Sequence, residues 1–191
     1  MSRALFIVDV QNDFTERGAL GVVGGDAVAE RISRYLDAHA DDYAVVVASR
    51  DWHHGDDDNG GHFSAEPDFV DTWPVHCVGG TYGADYDEVF DPRRVTHHLK
   101  KGQGRPAYSL FEGVTDDGRT ATGILDEHGI RDIDIVGIAT DYCVLASALD
   151  ALRAGRTVRV LTDLVAGVHP DSSAAALSEI ETAGARLTRS E

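Results

Sequence analysis

The stretch IDIVGIATDYCVLASALDALRAG, residues 133–155, joins an apolar run to an amphipathic one and decides the fold. The run Ile133–Ala139 is typical of a strand buried on both faces of a sheet. The segment Val144–Gly155 carries apolar residues at helical spacing. Cys143 lies between them, where the N–H groups at a helix start favour a thiolate and can hold an oxyanion. Position alone leaves a second interpretation open, because a free cysteine is more often a small buried hydrophobic residue.

The rest of the chain repeats this alternation of strand and helix, which predicts right-handed βαβ crossovers. The fold class is therefore α/β, a Rossmann-like arrangement of three layers (αβα) around a central, mainly parallel, six-stranded sheet. We expect residues 1–191 to form a single domain. The predicted strands are Ala4–Val8, Tyr43–Ala48, Arg94–Leu99, Ile133–Ala139, Thr157–Leu161 and Ala185–Thr188, and the predicted helices are Asp26–Ala40, Thr120–His128, Val144–Gly155 and Asp171–Ala183.

The composition narrows the class of partner. The formal net charge of -16 argues against a nucleic acid or an anionic membrane surface, and leaves a small molecule as the expected partner. No apolar run approaches membrane-spanning length, and the N-terminus shows no export signal. With only two cysteines, we expect a cytoplasmic protein with reduced thiols and no Cys77–Cys143 disulfide. Monomer and homo-oligomer both stay open.

Four chemically capable side chains follow four of the predicted strands. Asp9, Asp51, Lys101 and Cys143 each follow a predicted strand within a few residues, although the strand before Lys101 is less apolar than the others. The carboxyl ends of parallel strands meet at one edge of the sheet, where ligands bind in such folds. The sequence therefore predicts that these groups converge on one site.

A possible metal site begins at the second of these strands. Asp51 and His53 are two residues apart, so they face the same side of an extended chain. His62 and His76 lie in the long polar stretch from Ser49 to about Asp91, which is long enough to predict a functional loop. One carboxylate and three imidazoles suit one divalent ion, Zn²⁺, Fe²⁺ or Mn²⁺. The alternative is that these are solvated loop histidines in a chain that has nine.

Asp9 and Lys101 are the candidate partners of the thiol. A carboxylate at a strand end could take the proton of Cys143, although an aspartate there is also a common loop cap. The ammonium group of Lys101 would favour both the thiolate and the carboxylate. Lys100 competes for this place, and strand alternation allows only one of the two lysines to point inward.

These segments together resemble the nicotinamidase/pyrazinamidase group of the isochorismatase-like hydrolases. The similarity runs in order from Ala4 to about Gly167. Single fragments such as DxxxDF are weak, but the whole set is specific. The matching segments are DVQNDF from Asp9, DWH from Asp51, WPVHC from Trp73, Lys101-Gly102, SLFEG from Ser109, GIATDYCV around Cys143 and LTDLVAGV from Leu161.

The resemblance implies a catalytic trio. Cys143 would attack a carboxamide carbon, Asp9 would accept its proton, and Lys101 would be the third member. A cis peptide bond would fall between Ile138 and Ala139, and the N–H groups of Ala139 and Cys143 would hold the oxyanion. Ammonia would leave, and water would then hydrolyse the thioester to release nicotinate. The expected substrate is thus a pyridine carboxamide, nicotinamide first and pyrazinamide second.

The resemblance also implies how the substrate is held. Asp51, His53, His62 and His76 would bind the metal, which receives the ring nitrogen of the pyridine. Phe14 and Trp73 would wall the ring by stacking, with Gln11 and Tyr108 as weaker candidates for substrate contact. The segment HGDDDNGG from His54 is longer and more acidic than usual in the family, which makes His54 the alternative third histidine ligand.

Two other functions compete with this one. Related cysteine hydrolases act on carbamoyl or ureido compounds and share the residues Asp9, Lys101 and Cys143, but the metal-ligand set argues against them. A catalytically silent binding or metal-storage protein could keep the same fold. The intact trio argues against that, because such groups assemble for chemistry.

Overall fold

The computed structural model describes residues 2–190, so Met1 and Glu191, the outermost residues of the predicted domain, lie outside it. Six strands form one sheet in the order β3-β2-β1-β4-β5-β6, and every neighbouring pair is parallel. The predicted parallel α/β sheet is thus confirmed, and among the described strands it is wholly parallel. The strands are β1 Arg3–Val8, β2 Val45–Asp51, β3 His97–Lys101, β4 Asp132–Ile138, β5 Thr157–Ala166 and β6 Arg186–Thr188.

Helices cover both faces of the sheet, as the three-layer prediction requires. Alternate residues of β1 point to opposite faces: Phe6 packs into one buried cluster and Ile7 into the other. The first cluster includes apolar residues of α2, α3 and α4, and the second those of α1. Full burial of such side chains stabilises the fold by about 1.5–3 kcal/mol each. The helices are α1 Gly25–His39, α2 Ala121–Glu127, α3 Leu145–Arg153 and α4 Pro170–Thr182.

Some predicted element bounds are wrong. The third strand begins at His97 instead of Arg94, because Pro92–Arg94 form a short 3-10 turn capped by the Asp91 carboxylate. The fifth strand continues beyond the predicted Leu161 to Ala166. The register between β4 and β5 shifts after Ile135, and pairing then continues from Gly137 with Val165.

The helix expected at Val144 begins at Leu145, after a π-helical turn over Thr140–Val144 that contains Cys143. The last helix begins one residue earlier than predicted, because Pro170 occupies its first position, where a missing N–H costs nothing. The capping position is His169, which makes no side-chain capping hydrogen bond.

The long segment between β2 and β3 is folded over the carboxyl edge of the sheet without regular secondary structure of its own beyond short turns. Isolated bridges tie it down, pairing His53 with Val78 and Phe63 with Trp73. Both cysteines are free thiols, as expected. In residues 2–190 there is no helix of the length and apolarity that a membrane span needs.

Candidate active site

Asp9, Lys101 and Cys143 meet at the carboxyl edge of the sheet. The Lys101 Nζ lies 3.0 Å from Asp9 Oδ2 and 3.7 Å from the Cys143 Sγ. The other oxygen of Asp9 accepts a hydrogen bond from the Ser49 hydroxyl at 2.7 Å. All three predicted side chains are buried, with Cys143 the most accessible at 7% exposure.

Local structure explains how each group reaches this point. Asp9 follows β1 with a φ of +46°, a left-handed conformation that is uncommon for a residue other than glycine and turns the chain as the strand ends. Strand alternation directs Lys101 inward. Lys100 instead pairs with Asp116 at 2.7 Å and lies over the Trp52 ring. Lys101 is therefore the inward lysine of the pair.

Burial is the largest influence on the pKa of the thiol. Burial raises the pKa of Cys143 well above its ordinary value, and the nearby Lys101 only partly opposes this. Burial also raises the pKa of Asp9, against the lowering effect of Lys101. The predicted effect of Lys101 has the expected sign, because its ammonium lowers the pKa of the thiol, but burial acts in the opposite direction and is the larger effect. Asp9 is the group placed to take the proton of the sulfur during the reaction.

The turn before Cys143 has the shape that the family resemblance implies. The peptide bond between Ile138 and Ala139 is cis. The carbonyl of Ala139 accepts the N–H groups of Tyr142 at 3.1 Å and Val144 at 3.0 Å, which closes the turn around the thiol. Ala139 and Cys143 both line the same cavity.

The predicted metal ligands form a second cluster beside the trio. One ring nitrogen from each of His53, His62 and His76 lies within 4.8 Å of the others. Asp51 Oδ2 is 3.6 Å from His53 Nε2 and 3.8 Å from His76 Nε2. Asp51 Oδ1 also pairs with the Lys101 ammonium, so this one carboxylate joins the two clusters.

The donor set fits a divalent transition metal. The Nδ1 atoms of His53 and His76 hydrogen-bond to the backbone carbonyls of Gly102 at 2.7 Å and Pro74 at 2.8 Å. Each must therefore donate through Nδ1, which leaves Nε2 as a lone-pair donor for a metal. His53 Nε2 and His62 Nδ1 are buried without a hydrogen-bond partner, a costly state that a bound cation would relieve.

Electrostatics within this cluster favours metal-ready protonation states. Burial, together with the neighbouring His53 and His76, lowers the pKa of His62 to about 4. Burial also lowers the pKa of His76. Although burial by itself would raise the pKa of Asp51, Lys101 and the neighbouring histidines bring it well below its ordinary value. Neutral imidazoles and an ionised carboxylate are the forms that bind a metal.

His62, and not His54, belongs to this cluster. His62 is 2% exposed, and its ring centroid lies 4.8 Å from that of His53. His54 lies at the surface, where its Nδ1 is 3.1 Å from an Asp57 carboxylate oxygen. The acidic tract that made His54 the alternative is thus a surface loop.

A cavity of about 340 Å³ opens onto both clusters. Phe14, Trp73 and Tyr108, all predicted near the substrate, form part of its wall. The indole Nε1 of Trp73 donates to the Tyr108 hydroxyl at 3.0 Å, which holds the two rings together.

Sequence reasoning missed a further part of the cavity wall. Only Tyr142 carried a usable signal, because it adjoins Cys143 in a turn already expected at the site. The others come from loops whose approach depends on tertiary structure. They are Leu20, Val22, Phe69, Val168 and His169.

Gln11, predicted as a weaker candidate for substrate contact, has other partners in the structure. Gln11 is fully buried and does not line the cavity. Its carboxamide is bonded to the backbone of Asp51 and Ala84 instead. It therefore contacts the backbone of one proposed metal ligand, Asp51.

The chain is similar to known proteins over nearly its whole length. The family model described as the isochorismatase domain matches residues 3–191. The nicotinamidase/pyrazinamidase of Mycobacterium tuberculosis is 50% identical over 185 residues, which cover 97% of each chain.

Solved structures resemble the whole chain. The pyrazinamidase of Pyrococcus horikoshii, crystallised in complex with zinc, matches with a TM-score of 0.84 and 36% identity, covering 100% of both chains. PnC1 from L. infantum, crystallised in complex with nicotinate, matches with a TM-score of 0.83 and 32% identity, covering 98% of this chain and 92% of that one.

Proposed function

The chain belongs to the isochorismatase family, and from this premise we propose that it is a metal-dependent amidase that converts nicotinamide to nicotinate and ammonia. Pyrazinamide, the diazine analogue, is the second expected substrate. The reaction would feed salvage of the pyridine ring into NAD. We further propose that residues 1–191 act as one catalytic domain, with the cytoplasm as its expected location.

One observation carries the proposal: the nucleophile cluster and the metal cluster open into the same cavity. Cys143 and the metal-site residues Asp51, His62 and His76 all line it. A hydrolase of carbamoyl or ureido compounds would need the thiol and its partners. Its substrates, however, have no pyridine ring nitrogen that could bind to a metal. The aromatic wall likewise suits a flat heterocycle.

The metal would be held by Asp51, His53, His62 and His76. When bound there, it supplies a Lewis-acidic centre that attracts the ring nitrogen of the substrate. Phe14 and Trp73 would flank the ring and limit its rotation. The carboxamide carbon would then face the sulfur of Cys143.

Acyl transfer would proceed in two halves. As the Cys143 sulfur bonds to the carboxamide carbon, its proton passes to Asp9, and the carbonyl oxygen takes up negative charge. The N–H groups of Ala139 and Cys143 stabilise that oxyanion. The C–N bond breaks, Asp9 returns the proton to the departing nitrogen, and ammonia leaves a thioester. Water then attacks the thioester carbon and gives a proton to Asp9. The C–S bond breaks, Asp9 passes that proton to the sulfur, and the carboxylic acid product leaves and ionises to nicotinate, so that the thiol and the Asp9 carboxylate are both restored.

Lys101 would help the proton transfer between Cys143 and Asp9 by keeping Asp9 ionised. Although burial by itself would lower the pKa of Lys101, Asp51 and Asp9 raise it well above its ordinary value, so it stays charged. A permanent ammonium 3.0 Å from Asp9 stabilises the carboxylate that must receive the proton.

The test is ammonia release from nicotinamide, pyrazinamide and a set of carbamoyl and ureido compounds, with bound metal measured on the same sample. We expect turnover of the two aromatic carboxamides and none of the ureido compounds. Turnover of ureido compounds alone would refute the proposal and support the other class of cysteine hydrolase. The same metal measurement decides among zinc, iron and manganese.

A further inference from the structure

The side chain of Gln11 forms hydrogen bonds with both the backbone N–H and the backbone carbonyl of Asp51. Its Oε1 accepts the N–H of Asp51 at 2.8 Å, and its Nε2 donates to the carbonyl of the same residue at 2.9 Å. The second N–H of the amide donates to the Ala84 carbonyl at 2.9 Å. Both donors of the carboxamide are thus used, and Gln11 is fully buried.

This side chain replaces a missing strand neighbour. The register of β1 with β2 ends at Ile7 and Ala48, because the chain turns away at Asp9. On its other edge, β2 continues to pair with β3 as far as Asp51 and Lys101. The side-chain amide of Gln11 forms hydrogen bonds with Asp51 on the edge of β2 where β1 no longer pairs. Asp51 therefore has a hydrogen-bonding neighbour on each side, Gln11 on one and β3 on the other.

The position of Asp51 matters more than that of other residues in the strand. Its two carboxylate oxygens serve different clusters: Oδ1 pairs with Lys101, and Oδ2 faces His53 and His76. A small rotation of the Asp51 backbone would move both oxygens at once. Residues that orient metal ligands through hydrogen bonds influence metal affinity for this reason.

We propose that Gln11 is a positioning residue that aims the Asp51 carboxylate at the metal and at Lys101, and so sets metal affinity. The proposal rests on the metal site of the proposed function. In this proposal Gln11 acts only by positioning Asp51 and does not contact the substrate.

The test compares three variants of the full chain. Gln11→Met keeps the length of the side chain and removes all three hydrogen bonds. Asp51→Ala removes the proposed ligand itself. Asn12→Ala is the matched control: Asn12 is the next residue and is also buried, but its amide donates at 2.8 Å to Tyr82, in the segment that includes Ala84, without touching Asp51.

The readout is the zinc dissociation constant, measured by competition with a chromophoric chelator. We expect Gln11→Met to weaken zinc binding by about 10- to 100-fold, the usual effect of losing a support of a metal ligand. Asn12→Ala should bind zinc like the unmodified protein, although it loses a comparable buried hydrogen bond. Excess zinc should restore part of the turnover of Gln11→Met, since its thiol cluster is unaltered in sequence.

The outcomes separate the two proposals. If Asp51→Ala binds zinc normally, the metal-ligand assignment fails. If Asp51→Ala loses zinc while Gln11→Met keeps it, the role of Gln11 is refuted. If Gln11→Met does not fold, Gln11→Glu decides by the same criterion, because it keeps the oxygen that accepts from Asp51 and loses the amide donors.

Discussion

Cys143 and Cys77 are the two thiols of this chain, and they differ in surroundings although both are buried. Cys143 lines the cavity with Lys101 at 3.7 Å, whereas the backbone N–H of Cys77 is bound to Asp13 at 2.7 Å in a turn outside the cavity wall. Cys143→Ala should lower ammonia release from nicotinamide by more than about a thousandfold, because no other group can form the thioester. Cys77→Ala is the control, and retained turnover in Cys143→Ala would refute the mechanism.

His62 and His54 provide a second matched pair at the residue scale. We expect His62→Ala to lose most bound metal, because it removes a buried donor of the cluster. His54→Ala should bind metal normally, since that ring pairs only with surface groups. Metal content after dialysis against a weak chelator measures both. Loss of metal in the His54 variant alone would reverse the assignment.

The acidic limit of activity should follow Asp9. Burial raises its pKa, and the hydrogen bond from Ser49 lowers it in part. Only ionised Asp9 accepts the thiol proton, so kcat/KM should fall as the pH drops through this raised pKa, at a higher pH than an ordinary aspartate would give.

The substitution Ser49→Ala tests the role of Asp9, because it should shift the pKa of Asp9 in a known direction. Removing the hydroxyl should raise the pKa of Asp9 further and move the acidic limb to higher pH. Metal content must be measured at each pH, because protonated histidines release metal. An acidic limb that stays in place in Ser49→Ala, at constant metal content, would contradict the role of Asp9.

At the scale of elements, the turn that carries Cys143 is tied to the start of α4. The Asp141 carboxylate accepts the N–H groups of Val168 at 2.9 Å and His169 at 3.2 Å, and the Ser172 hydroxyl at 2.6 Å. Val168 and His169 belong to the cavity wall. This one side chain therefore joins the nucleophile turn to the opposite wall of the pocket.

Asp141→Ala should loosen that wall. Val168 and His169 are exposed, so water can take the place of the carboxylate on their N–H groups, and we expect only a small fall in the temperature of thermal unfolding. We expect KM for nicotinamide to rise more than kcat falls, because the thiol and its partners stay in place. A variant with unchanged KM would show that the wall does not depend on this tether.

Strand alternation and strand ends were sufficient to predict much of the site. They predicted that only one of Lys100 and Lys101 points inward and that groups at four strand ends converge, because both follow from the period of a strand and from parallel pairing. The choice of Lys101 came from the Lys101-Gly102 match to the family. Strand alternation and strand ends could not predict the bounds of β3 or the π-helical turn at Cys143. The start of β3 could have been placed better, because Asp91 followed by Pro92 is a local capping pattern. The turn at Cys143 is closed by two N–H groups on the Ala139 carbonyl, and its backbone conformation carries no such pattern.

At the scale of the whole molecule, the metal should support stability as well as activity. Exhaustive chelation should abolish turnover, and re-addition of a divalent metal should restore it. A metal at 100 times its dissociation constant adds about 2.7 kcal/mol to the free energy of unfolding. For a chain of this size that corresponds to a rise of roughly 5–10 °C in Tm. Full activity in the metal-free protein would refute the ligand assignment.

The sequence by itself determined the α/β class, the sheet edge that carries the chemistry, and the residue types gathered there. These follow from hydrophobic periodicity and from the order of the elements along the chain, both of which are properties of the sequence itself. Tertiary structure alone decided between His62 and His54, joined the Gln11 side chain to the Asp51 backbone, and buried the Cys143 thiol so that its pKa is raised. The physical reason is that burial, ligand geometry and desolvation depend on which distant segments close over the strand ends, and no local pattern specifies that closure.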